Sequence, residues 1–100
     1  MRERVRELGK MTNCDLWLED HGCLVLGGEF HYEDGGVQGI GRIMTIDALK
    51  QFMQVFNVEY LRSVNGKTCW VTHDFNGIYK LEPLHNKDGV VWNMEEKRNA

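Results

Sequence analysis

The sequence predicts an α+β domain in which antiparallel β-hairpins, about six strands in all, flank one amphipathic α-helix that packs across them. Three observations carry this. Asn/Asp-Gly punctuation recurs at 20–22, 33–36, 65–66, 75–77 and 86–89, each time between two short β-like runs. Between the two groups of runs, "TIDALKQFMQVFN" (45–57) carries apolar residues at helical spacing. Finally, 100 residues that are 42% hydrophobic suffice for one core but not two. A single domain over residues 11–94 is therefore expected.

Taken in order, "MRERVRELGK" (1–10) alternates charges around few apolar residues and precedes a second methionine, Met11. Three arginines and a lysine leave too little apolar surface for a packed helix, so residues 1–10 read as a flexible N-terminal appendage. The first group of strands is 14–19, 23–33 and 37–43. In the second of these, Phe30 and Tyr32 alternate inward against Glu29, His31 and Glu33. A carboxylate, an imidazole and a carboxylate at alternate positions could hold a divalent metal, but a solvated hairpin face has the same pattern. No metal site and no cofactor are assigned.

Within 45–57, Ile46, Leu49, Phe52, Met53 and Phe56 form one stripe. Thr45 suits the N-cap, Asp47 the positive end of the helix dipole, and Asn57 a left-handed C-terminal residue. "VEYLRSV" (58–64) is a connector of about one helical turn, offering Tyr60, Leu61 and Val64 to the core. The second group is 67–73, 77–83 and 89–93, and residues 95–100 form a polar tail.

Composition narrows the function classes. Twelve Lys and Arg against fifteen Asp and Glu give a formal charge of −3, without the basic surplus of a nucleic-acid binder. No apolar run approaches the roughly 20 residues of a membrane span, and the amino terminus lacks the apolar centre of a secretory signal. Cys14, Cys23 and Cys69 are odd in number and form no C-x-x-C pair, which points to buried thiols in a reducing, cytoplasmic setting.

The order of motifs resembles a family of small phage and prophage proteins of uncharacterised function. The resemblance rests on Glu19, Asp20, His21 and Gly22 of the first hairpin, then Gln38, Gly39 and Gly41, then Gly66 and Lys67, and finally Trp92. It spans about residues 16 to 93. Tyr60 stands where the family has a tryptophan, and the residue after Trp92 is not aromatic. The resemblance implies a bacteriophage or prophage origin, hence a host-cell cytoplasm, but no activity.

Two surfaces are candidates for binding. Glycines at 39 and 41 fit neither a phosphate loop nor a dinucleotide fingerprint. Alternating along a strand, they leave one face of the sheet bare, to be filled by this chain's own helix or tryptophan or by a ligand meeting Gly39, Gly41 and Arg42. In the second group, Cys69 and Val71 share one face while Thr68, Trp70 and Thr72 share the other. With the first pair in the core, Trp70 stands outward as an interface anchor, unless the helix covers that side.

The neighbours Asp20-His21 and His73-Asp74 lie at turns and read as turn structure rather than acid–base pairs. Ser63 lacks a nucleophile-elbow context. The expected function is a non-enzymatic phage accessory protein that binds a host protein, inhibition of a host-defence system being one form. A small-ligand or nucleotide binder using the glycine groove is the alternative. Exposed edge strands would permit a homodimer.

Overall fold

The computed structural model describes residues 3–19, 22–86 and 89–93. Its organising element is β1 (Val5–Leu18), a strand of 14 residues that runs through the segment expected to be an appendage. The composition argument against residues 1–10 excluded a packed helix and not a strand. At a period of two, Glu7, Gly9 and Met11 face the core side while Arg6, Leu8 and Lys10 face outward, so the two basic side chains stay in solvent. The domain thus begins within the first ten residues and not at Met11.

β1 pairs antiparallel on both sides: with β2 (Leu24–Tyr32) from Gly9 onward, and with β4 (Thr68–Asp74) over Val5–Lys10. β3 (Val37–Ile43) follows β2, and β5 (Gly77–Glu82) with β6 (Trp92–Asn93) follows β4. The two expected groups therefore merge into one sheet of six strands, ordered β3-β2-β1-β4-β5-β6. A bulge between Thr12 and Asp15, with Asn13 at φ 54°, breaks the β1–β2 register and re-aims the outer half of β1.

The sheet curls until its two flanks meet, giving a partly open barrel. Across the seam, Gln38 Nε2 donates to the Asp74 carbonyl at 3.1 Å and Arg42 Nη2 to the Ile78 carbonyl at 3.3 Å. Gly9 sits where β1 passes from one half to the other. A Cβ there would lie 2.8 Å from Val71 Cγ2 and 3.1 Å from both Phe30 Cδ1 and Tyr32 Cε1, so glycine is what lets these side chains close over the strand.

The helix α1 (Ile46–Phe56) leaves the far end of β3. Thr45 Oγ1 accepts from the Ala48 N–H at 3.1 Å and Asn57 closes the helix at φ 53°, as the sequence predicts. The buried stripe differs from the expected one. It runs Ala48, Phe52, Val55, Phe56, the i, i+4, i+7, i+8 pattern, whereas Ile46 is 65% exposed. Phe52 meets Trp92 edge to face at 4.9 Å, and Met11, Leu26, Phe30, Cys69, Val71 and Leu81 complete the core. Val64, in the 3-10 turn Leu61–Val64, is fully buried, while Tyr60 is exposed. Among the described residues no helix is long and apolar enough to cross a membrane. The expected tail, 95–100, lies outside the described residues.

Candidate functional site

The helix packs against the Cys69 and Val71 face of the sheet. Thr68, Trp70 and Thr72 therefore do share the opposite face, with Leu8 and Arg6 of β1 as the cross-strand partners of Trp70 and Thr72. The helix does not cover Trp70, but Arg6 does: its guanidinium lies 4.3 Å from the ring centroid, held by Glu82 Oε1 at 3.0 Å. The depression beside Trp70 is small, about 190 Å³. Trp70 is half-buried beneath a residue of the first half of β1.

The second expected surface divides. Gly39 and Gly41 face outward, where a Cβ on Gly41 would meet nothing within 4 Å and one on Gly39 only the Gly28 carbonyl at 3.9 Å. No side chain of the described residues fills this strip. The hollow that a tryptophan does fill is on the neighbouring strand, where the Trp17 ring lies against Gly27. Arg42, one residue along from Gly41, faces the barrel interior and binds the Ile78 carbonyl. Strand alternation thus places Arg42 and the two glycines on opposite faces, and they do not form one groove.

On β2, Phe30 and Tyr32 point into the core and His31 is exposed, as expected. Glu29 accepts from Asn13 Nδ2 at 2.8 Å. Among the described residues no three His, Cys, Asp or Glu side chains converge as a metal ion would require. Asp20 and His21 lie outside the described residues.

The pair His73-Asp74 separates. Asp74 turns into the β4–β5 hairpin, where it accepts from the Asn76 N–H at 2.7 Å and the Tyr79 hydroxyl at 3.0 Å. A desolvation penalty on this carboxyl is outweighed by those bonds, the Gly77 N–H and the charge of Arg4, which together hold it below the ordinary carboxylate range. His73 turns the other way, into the barrel end that carries the β2–β3 and β4–β5 turns. Its Nε2 meets Glu7 Oε2 at 2.6 Å, and its ring stacks on Tyr32 with centroids 4.2 Å apart and planes 3° from parallel.

These groups line a recess of about 620 Å³, here called the mouth. Tyr32, whose hydroxyl donates to Gln38 Oε1 at 2.8 Å, lines it together with His73 and Gln38. Burial first, and then the charges of Glu7 and Asp34, push the Tyr32 phenol well above its ordinary range, so it stays a neutral donor. Val5, Val37 and Phe75 flank the opening at 48%, 52% and 84% exposure. Glu3, Glu7, Asp34 and Asp74 supply carboxylates around it.

Sequence reasoning missed this site because Glu3, Val5 and Glu7 lie in the supposed appendage and Phe75 in a turn. The signal that was present is the alternation Val5, Glu7, Gly9, Met11, a strand pattern interrupted only by one charge. No family model, curated protein or solved structure matches this chain.

Proposed function

We propose that this chain is a non-enzymatic binding module that engages another protein through the mouth of its barrel. The observation that carries the reading is Phe75, a phenylalanine 84% exposed at the rim of a 620 Å³ recess and accompanied by two more exposed apolar side chains. Large aromatics presented beside a concavity are typical of interface anchors. Among the described residues lining the recess there is no Ser, Thr, Cys or Lys for His73 to activate, which favours binding over covalent catalysis. The resemblance to small phage and prophage proteins supports a phage-type accessory role with a host protein as partner, inhibition of a host-defence component being one form.

The mouth takes over from the Trp70 face as the expected interface, because the Arg6 guanidinium, held by Glu82, already covers the Trp70 ring. The test is an affinity pull-down from host lysate with the wild-type chain, Phe75→Ala and Trp70→Ala. A host protein retained by wild type and Trp70→Ala but lost with Phe75→Ala is the expected result. Loss with Trp70→Ala alone would move the interface back to the outer face.

A second reading has one observation in its favour: a recess of 620 Å³ lies within the size range of small-molecule sites. Its carboxylate rim opposes a nucleotide, and a panel of ligands that raises the melting temperature would support this reading.

A further inference from the structure

Resting on the reading of the mouth as a protein-binding surface, we infer that its occupant is a partner segment presenting an arginine or lysine beside an apolar residue. The apolar residue packs on Phe75, Val37 and Val5, and the cation faces Glu7 and Asp34.

Two features of the recess argue for this chemistry. First, Val5, Val37 and Phe75 give it exposed apolar walls, so a purely ionic ligand would leave Val5 and Val37 uncovered. Second, among the described residues that line it, the charged groups are carboxylates and one imidazole, with no Lys or Arg. Arg4 stands over the Tyr79 ring, its guanidinium 3.7 Å from the centroid, and its charge acts on Asp74, which is therefore not one of the acceptors invoked. Glu7 commits one oxygen to His73, and its Oε1 has no partner among the described residues. Half-buried and thus weakly screened, that oxygen is a charge-assisted acceptor waiting for a donor.

Charge complementarity also selects against the alternatives. A second copy docking mouth to mouth would bring the same carboxylates together across a two-fold axis. An acidic or phosphorylated segment would meet them directly.

The experiment uses the full chain as bait for a displayed library of random twelve-residue peptides, counter-selected against Phe75→Ala. Enriched peptides are then measured by fluorescence anisotropy against wild type, Glu7→Gln and Asp34→Asn. The expected result is enrichment of Arg or Lys adjacent to an apolar residue. Affinity should fall about tenfold with Glu7→Gln, fall less with Asp34→Asn, and weaken with added salt.

Asp34 lies in the exposed β2–β3 turn, so its substitution keeps the test meaningful if Glu7→Gln lowers stability. Phe75-dependent peptides without a basic residue, or affinities unmoved by both carboxylate variants, would overturn the inference while leaving the mouth as the binding surface. No enrichment of peptides that distinguish the wild-type chain from Phe75→Ala would overturn both. Peptide-independent dimerisation lost with Phe75→Ala would replace the foreign segment by a second copy.

Discussion

Gly9→Ala places a methyl group at the point where the two halves of the sheet meet, and its cost can be worked from the structure. The new Cβ would stand 2.8 Å from Val71 Cγ2, with Phe30 and Tyr32 at 3.1 Å, against an ordinary separation of 3.4–4 Å. Val71 and Phe30 are both fully buried, so neither can swing aside without displacing the core behind it. Overpacking of this kind costs roughly 1–3 kcal/mol. Replacing glycine stiffens the unfolded chain and returns about 0.4–1 kcal/mol.

The expected net loss is about 1–2 kcal/mol. At about 4–8 °C per kcal/mol for a domain this size, the melting temperature should fall by roughly 5–15 °C. Gly41→Ala is the matched control. It makes the same change on the same sheet, but nothing lies within 4 Å of the new Cβ, so its effect should stay within about 0.5 kcal/mol. Thermal and urea denaturation of the two variants decide the matter. If Gly9→Ala melts with Gly41→Ala and wild type, then β1 does not cross the sheet as described and residues 5–10 are peripheral after all.

Other outcomes follow from the mouth and the core. His73→Ala removes both the Tyr32 stack and the Glu7 bond and should cost about 1–3 kcal/mol by urea denaturation; a loss too small to resolve would make the pair ornamental. Burial pushes the Cys69 thiol up to about 12 from an ordinary value of 9.0. Below pH 9 the native and unfolded chains both hold this proton. From pH 9 to about 12 only the native chain does, so stability should decline across that window and Cys69→Val should flatten the decline. Asp74 has the opposite sign. Its folded carboxyl is held below the ordinary range, so its contribution is complete above that range and is lost as pH falls through it. Asp74→Asn should therefore lessen the acid-side loss of stability, seen as a shallower slope of melting temperature against pH below about 4.

The parts of the fold governed by local chemistry were legible. Thr45, Asn57 and the Asn/Asp-Gly turns each act through a few neighbouring atoms, and so the helix ends and the positions of β2 to β5 follow from the chain alone. What was not legible depends on partners distant in sequence. The charged face of residues 5–10 looks like an unpacked segment until β2 and β4 flank it, because a strand paired on both sides can turn Arg6 and Lys10 to solvent.

The same holds for the site. Arg42 beside Gly41 suggests a ligand groove, and only the curl of the sheet shows that Arg42 belongs to the seam. With Cys69 and Val71 in the core, alternation puts Trp70 on the outer face, yet nothing local announces that Arg6 lies over it. Phe75 looks like turn punctuation in the sequence, since the residues that make its turn a rim come from β1, β2 and β3.

The double pairing of β1 also sets the order in which the chain can acquire its structure. The β1–β2 and β2–β3 hairpins close over short turns, but Glu7 finds Val71 only after a loop of roughly sixty residues has been brought together, an entropy charge the local hairpins never meet. The first half of β1 therefore leaves the ribosome long before its second neighbour exists, and the mouth, which needs Glu7, Tyr32 and His73 in one place, is completed by the least local contacts in the molecule. A chain of this topology folds slowly for its size, and the mouth is the last part of it to close.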